Sequence, residues 1–474
     1  MKLAHLIAAL LLAGTCRVQS ATPKKSAAKI DPEGLAKLLE PVFASGMKKE
    51  NIPGAVFILV KDGRVVIAKG YGVADLDSGR RVDPETTIFP TASISKVFTA
   101  TAVMQLADSG RLDLHVDVNR YLTSLQVPNT YPEPITTAHL LTHTSGLDEL
   151  PGRRVKALAD VVQLNEFLAN RLVRVHPPGE MTSYSSYGIA LAGLLLTEIS
   201  GESFESYLSA HIWRPLGMDH TWITVPPKET ANLATAYELD GGKPVPIPYE
   251  IYQTPPTASV VSTAVDMAKF MIAHLQKGRF KEARILSESA AESMQQQHAT
   301  IHPRMPGWAY GWQLATTNGR RIIAHGGDIG GFSALMVLLP DEGAGFFVAH
   351  HLEGANLRFT VEKTILDNYF PDRRSPEIPK PRKENAEQLH RFAGKYRASI
   401  FCHSCPDGGP NVQDFEVNAN NDGTISVWDQ KWFPVEPLYF ASADGRRHIG
   451  FKEGADGGII ALTAGSWRVL ERIR

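Results

Sequence analysis

"TASISKVFTA", residues 91–100, holds a serine with a lysine three positions on, Ser93 and Lys96. Such a pair can supply both a nucleophile and the base that activates it. The same spacing recurs as Ser26 with Lys29 and as Ser45 with Lys48, so surroundings must decide between the three. Ser26 and Lys29 lie in "ATPKKSAAK" (21–29), a polar tail without apolar period and without a pocket to desolvate a lysine. Residues 31–49 carry Leu35, Leu38, Leu39, Val42, Phe43 and Met47 at helical spacing, and Ser45 and Lys48 fall off that stripe onto the wet face.

Ser93 sits differently. The extended approach "TTIFPTA" (86–92) gives way to a helical pattern with Ile94, Val97, Phe98 and Met104 on one face, ending at Ser109-Gly110. At a helix start the Ser93 N–H has no intrahelical partner and can face a developing oxyanion. Lys96, one turn on, shares its face. Phe89, Ile94, Val97 and Phe98 can desolvate the ammonium, and burial and the positive helix end both favour the neutral amine.

Working outward, "GAVFILVKDGRVVIAKGYG" (54–72) predicts two strands over 55–60 and 65–70, turned at Asp62-Gly63. Residues 332–340 and 343–350 predict a second strand pair around a mostly helical middle. Strands at both ends of a helical centre imply an α+β architecture, an antiparallel sheet with helices on it. "FPDRRSPEIPKPRKE" (370–384), rich in proline and charge, reads as a linker. Beyond it short β-type runs alternate with Asp-Gly turns, the pattern of a small all-β or barrel-like domain. The expected organisation is therefore a signal peptide over 1–20, a main domain over 31–370, a linker over 371–384 and a β-domain over 385–474.

Composition narrows the function classes. The 474 residues are 43% hydrophobic and 21% charged with a formal net charge of −1, enough chain for two or three domains of ~150 residues. That balance gives no electrostatic case for nucleic acid or an acidic membrane surface. Lys2, the apolar run 6–13, and Val18 and Ser20 at the −3 and −1 positions before Ala21 read as an export signal. The expectation is a periplasmic or secreted protein. An alternative is lipid anchoring at Cys16, since Leu12-Ala13-Gly14-Thr15-Cys16 resembles a lipobox, with Thr15 where Gly or Ala is usual. No later segment has the length and apolarity of a membrane helix. Oligomeric state is left open.

Cleavage would leave Cys402 and Cys405, spelled "CHSC". A local disulfide is the ordinary outcome for that spacing in an oxidising compartment. A redox role lacks a surrounding βαβ pattern. Pro406 replaces the histidine of a haem-attachment site, and one C-x-x-C is half a zinc site.

Two further stations bear on Ser93. "PGEMTSYSSYGIALAGLLLTEISG" (178–201) places Tyr184-Ser185-Ser186 before an apolar helix; a tyrosine near a lysine can act as phenolate base or proton relay. "IIAHGGDIGGFSALMVLLP" (322–340) places His325-Gly326-Gly327 at the end of a β-type run, where two glycines admit a close backbone and the following amide offers a second oxyanion donor. In this order the motifs resemble the serine β-lactamase and penicillin-binding-protein superfamily, on the class C-like side with its D-peptidase and esterase relatives. "HLLTHTSGL" (139–147), "RPLGMDHT" (214–221) and "STAVDMAKFM" (262–271) match too, and the resemblance covers residues 35–369.

The resemblance implies the family's sheet-and-helix fold and an acyl-enzyme mechanism without cofactor or metal. It makes Ser93 the acylated nucleophile, Lys96 its proton acceptor, and Tyr184 the partner that activates the serine or protonates the leaving group. The amides of Ser93 and Asp328 would form the oxyanion hole, with Ser186, His325, Gly326 and Gly327 along the substrate. Four departures point toward esterase, amidase or peptidase relatives. Ser186 replaces the frequent Asn, His325 the Lys, and Ala92 the Gly before the nucleophile; "VVQLN" (161–165) has Val161 in place of a deacylating acid. The expected substrates are esters or amides, D-amino-acid peptides among them. The alternatives are a true class C-like β-lactamase or D-Ala-D-Ala carboxypeptidase, and a catalytically weak binder of cell-wall peptides. His139 and His143 have the spacing of a helical metal pair but lack the metalloprotease Glu, so they read as structural.

Overall fold

The computed structural model describes residues 30–372, 387–409 and 412–473. The signal segment, Cys16, the Ser26/Lys29 pair and nearly all of the linker lie outside the described residues. Helix α1 (Pro32–Glu50) opens on Asp31, whose carboxylate accepts the Gly34 N–H at 2.7 Å, with Pro32 in the first turn and Asn51 closing it in the left-handed region. Ser45 and Lys48 are exposed on it. The strands β1 (Gly54–Lys61) and β2 (Arg64–Gly72) follow, joined by Asp62 and Gly63 at φ +50° and +77°, as a tight Asp-Gly hairpin requires.

Helices α2 (Ser95–Asp108), α3 (Ser186–Ser200) and α4 (Ala264–Leu275) occupy the middle. The chain then returns to the sheet through β3 (Gln313–Thr317), β4 (Arg320–Ile329), β5 (Phe332–Leu339) and β6 (Ala344–His351), before α5 (Leu357–Tyr369). The sheet order is β3-β4-β5-β6-β1-β2, every neighbouring pair antiparallel. The N-terminal hairpin therefore docks on the last strand, Phe57 opposite Val348.

Burial on both faces explains why β1, β5 and β6 read as unbroken apolar runs. Successive side chains alternate between faces. Val56, Ile58 and Val60 join the core built around α2, α3 and α4, while Ala55, Phe57 and Leu59 join the core under α1 and α5. The result is three layers, with α2 enclosed. The sequence pattern marked one apolar face for α2. The structure buries nearly every residue from Ser95 to Leu106, because helices pack on its other sides as well.

Residues 394–472 form a closed antiparallel barrel, from β7 (Gly394–Ala398) through β8 (Asp414–Ala419), β9 (Ile425–Val427), β10 (Gln430–Glu436), β11 (Tyr439–Ser442), β12 (His448–Glu453) and β13 (Ile459–Thr463) to β14 (Val469–Arg472). Tyr396, Trp432, Phe440, Phe451 and Leu462 fill it. Closure removes exposed strand edges. Cys402 and Cys405 are bonded, closing a short loop after β7. No helix among the described residues is long and apolar enough to cross a membrane.

Candidate active site

Ser93 lies in a 3-10 turn, Ala92–Ile94, that hands over to α2 at Ser95, rather than on the α-helix itself. Ala92 holds φ +50°, a left-handed conformation that is unfavourable for a residue with a Cβ. The Gly that usually precedes this serine adopts it freely. The turn is held by the Thr91 hydroxyl on the Val260 carbonyl at 2.8 Å and by Ser95 Oγ, which donates to the Ala92 carbonyl at 2.6 Å.

Lys96 Nζ is 3.0 Å from Ser93 Oγ and donates to the Thr257 carbonyl at 2.9 Å. The side chain is fully enclosed, and burial drives its pKa well below the usual lysine value, with Arg153 adding to the effect and Glu149 opposing it. The amine can thus stay neutral, donating to Thr257 while its lone pair meets the serine proton. Thr257 belongs to "PPTASVVS" (255–262).

The Tyr184 ring stands over Lys96, its centroid 4.9 Å from Nζ. Its hydroxyl is buried, and burial raises its pKa. That favours a phenol that relays a proton over a resident phenolate. Ser185 caps α3 through the Gly188 N–H at 3.1 Å, fixing the turn that carries Tyr184. Ser186 is the first residue of α3; it is buried, and its N–H donates to Glu149 Oε2 at 2.6 Å.

Strand β4 supplies the third wall. A Cβ on Gly327 would lie 2.5 Å from the Thr91 carbonyl and 2.8 Å from the Ser93 nitrogen. The need for glycine at 327 therefore comes from the turn that carries Ser93, whereas the sequence alone suggested substrate approach. At Gly326 a Cβ would meet only ordinary contacts. The Asp328 carboxylate is taken by Arg358 of α5 at 2.7 Å and by Ser333 Oγ at 2.6 Å. Arg358 also donates to the Gly327 carbonyl at 2.8 Å, pinning this end of β4. His325 is fully buried, and burial above all pulls its pKa down to about 3, so the imidazole is neutral.

Several residues at the site carried no sequence signal as site members. His143 follows a short helix, Thr137–Leu141, at φ +56°, so it does not pair with His139, whose Nδ1 instead accepts the Thr136 N–H at 3.2 Å. His143 Nδ1 accepts the Ser185 N–H at 3.1 Å, and its ring lies 4.4 Å from those of Tyr184 and Trp308. Arg153 and Glu149 pair at 2.9 Å beside Lys96. From the barrel, Trp467 sets its ring edge-on to Tyr184 at 4.8 Å while half exposed. Residues 180–184 are also gripped by the barrel. Ser183 Oγ donates to the Ser399 carbonyl at 2.6 Å, Ser399 Oγ to Thr182 O at 3.3 Å, and Lys452 to the Glu180 carbonyl. No spacing rule predicts contacts between segments more than two hundred residues apart.

The family model described as Beta-lactamase matches residues 39–367. The chain belongs to the beta-lactamase family. It is 28% identical over 334 residues to Protein flp of Staphylococcus aureus (strain N315), covering 68% of this chain and 64% of that protein. It thus spans somewhat less than two thirds of that relative's length. Penicillin-binding protein 4 of Amycolatopsis lactamdurans is 29% identical over 323 residues, with coverage of 62% and 80%. The octameric penicillin-binding protein homologue from Pyrococcus abyssi superposes with a TM-score of 0.62 at 24% identity, covering 92% of this chain and all of that one. That superposition extends past residue 367 and so takes in barrel as well as family domain.

Proposed function

We propose that this family member is an exported serine hydrolase that acylates Ser93 and hydrolyses the acyl-enzyme, acting on ester or amide substrates including D-amino-acid peptides. The observation that carries the reading is the 3.0 Å contact between Ser93 Oγ and a fully buried Lys96 Nζ. Lys96 takes the hydroxyl proton as Oγ attacks the carbonyl carbon. The Ser93 and Asp328 amides stabilise the oxyanion, a contribution worth ~10²–10³ in turnover per donor. Tyr184 passes the proton to the leaving group. Water then attacks the acyl carbon and Ser93 is regenerated. His325, neutral where β-lactamases carry lysine, gives weak recognition of a substrate carboxylate and favours esters and amides over β-lactams.

The test compares hydrolysis of a p-nitrophenyl acyl ester and a chromogenic cephalosporin by wild type and Ser93→Ala. Ester turnover that disappears in the variant, with little cephalosporin cleavage, is expected. Turnover unchanged by the substitution overturns the Ser93 assignment. Efficient cephalosporin cleavage would instead favour a β-lactamase.

A further inference from the structure

The barrel and the family domain meet at a second cluster. His176 comes from the family domain; His403 lies between the bonded cysteines and Glu471 on β14. Their Nε2, Nε2 and Oε2 atoms form a triangle with edges of 3.2 Å between the histidines, 2.9 Å from His403 to Glu471 and 3.3 Å from His176 to Glu471. Among the described residues no other set of three His, Cys, Asp or Glu side chains brings its ligand atoms so close. Donors at 2.0–2.1 Å from a tetrahedral ion stand about 3.3 Å apart, so these edges are those of one face of a zinc tetrahedron.

We propose that His176, His403 and Glu471 bind one divalent transition-metal ion, of which zinc is the best match, at the junction of the two domains. Three features support a built site. The first is convergence: if both imidazoles donated to the one Glu471 oxygen, their N–H groups would face each other at 3.2 Å, and an ion removes that conflict.

The second is the surrounding shell. His403 Nδ1 faces the carboxylate of Asp148 at 3.4 Å, the carboxylate–histidine–metal arrangement that orients a ligand ring. Asp148 is itself buried and anchored by the His403 N–H at 2.8 Å, the Ser404 N–H at 2.9 Å and Ser404 Oγ at 2.6 Å. The third is enclosure: the three ligand side chains are only 13–21% exposed, and the disulfide loop holds His403 in place. Two imidazoles and a carboxylate suit zinc and leave a fourth position for water.

The ion would fasten the barrel where it matters to the active site. Glu471 follows Trp467 by four residues on the same chain end, and His176 precedes Tyr184 by eight. The rival occupant is a proton, with His403 bridging Asp148 and Glu471 as an imidazolium.

The test uses the full chain without an affinity tag, stripped with a chelator and titrated with zinc alone, beside His176→Ala and Glu471→Gln. Expected are one zinc per wild-type chain, a rise in melting temperature on binding, and at least ~10²-fold weaker binding in each variant. Cobalt in the wild type should give the intense visible bands of a tetrahedral ion, a readout that needs no variant to fold. Absence of stoichiometric zinc and of those bands in the wild type overturns the site in favour of the proton. Binding that survives both substitutions places the ion elsewhere and overturns it equally.

Discussion

Inside the site, a Lys96 ammonium would face Tyr184, Thr257 and Ser93 while almost wholly shielded from solvent. Its folded-state pKa lies well below the 10.5 of the exposed side chain. Between those two values the unfolded chain binds one more proton than the folded one, so this residue makes stability rise with pH and costs stability at neutrality. Lys96→Met is therefore expected to cut ester turnover by ~10²–10⁴-fold. The same variant should unfold at a higher urea concentration than wild type near neutral pH, with the gain shrinking toward about pH 10. Urea midpoints across that range check the sign; a variant less stable than wild type at neutrality would show that the amine is not buried at a cost. Serine and lysine could be picked from the sequence because one helical turn brings i and i+3 together. Arg153, Glu149 and His143 could not, since nothing local ties them to Ser93.

At the level of elements, the site is a seam between the turn before α2 and the end of β4. Sequence periodicity located both, and it located the hairpins and α1, because those patterns are set by local burial and turn chemistry. It could not show that β4 runs so close to Thr91 and Ser93 that position 327 has no room for a side chain. Gly327→Ala would put a methyl 2.5 Å from the Thr91 carbonyl and 2.8 Å from the Ser93 nitrogen. Backbone must shift to admit it. A stability loss of ~1–3 kcal/mol is expected from overpacking. Turnover should fall by ~10² or more, as the Ser93 amide is displaced from the oxyanion. Gly326→Ala, with only contacts beyond 3.7 Å, is the control and should fold like the wild type. Equal losses in the two variants, by denaturant unfolding and ester kinetics, would contradict this account.

The whole molecule adds a wall that neither domain has alone. The barrel holds the segment before Tyr184 by Ser399 and Lys452, braces Trp308 Nε1 with the Ser466 carbonyl at 2.9 Å, and presents Trp467 beside Tyr184. A half-exposed tryptophan beside Tyr184 has aromatic surface free to meet a substrate bound there. Trp467→Ala should raise KM for aryl or bulky acyl substrates about 3–10-fold, the worth of one aromatic contact, while leaving kcat within about twofold. Steady-state kinetics on small and bulky acyl esters separate this from a purely structural role, which would lower kcat for both alike. The sequence marked residues 385–474 as a β-domain but assigned it no chemistry.

What the sequence determined is whatever depends on neighbours along the chain: the Asp-Gly hairpin, the helical stripe of α1, the apolar strand runs and the Ser93–Lys96 spacing. These follow from turn geometry, helical period and burial, all readable within a few residues. The tertiary structure alone decided the rest. Antiparallel pairing of β1 with β6 joins the chain ends of the family domain, and β4 lies across the turn that carries Ser93. Docking of the barrel then brings His176 against His403 and Glu471, 227 and 295 residues on, and Trp467 against Tyr184. Such meetings are set by how whole elements pack, and packing leaves no period in the sequence.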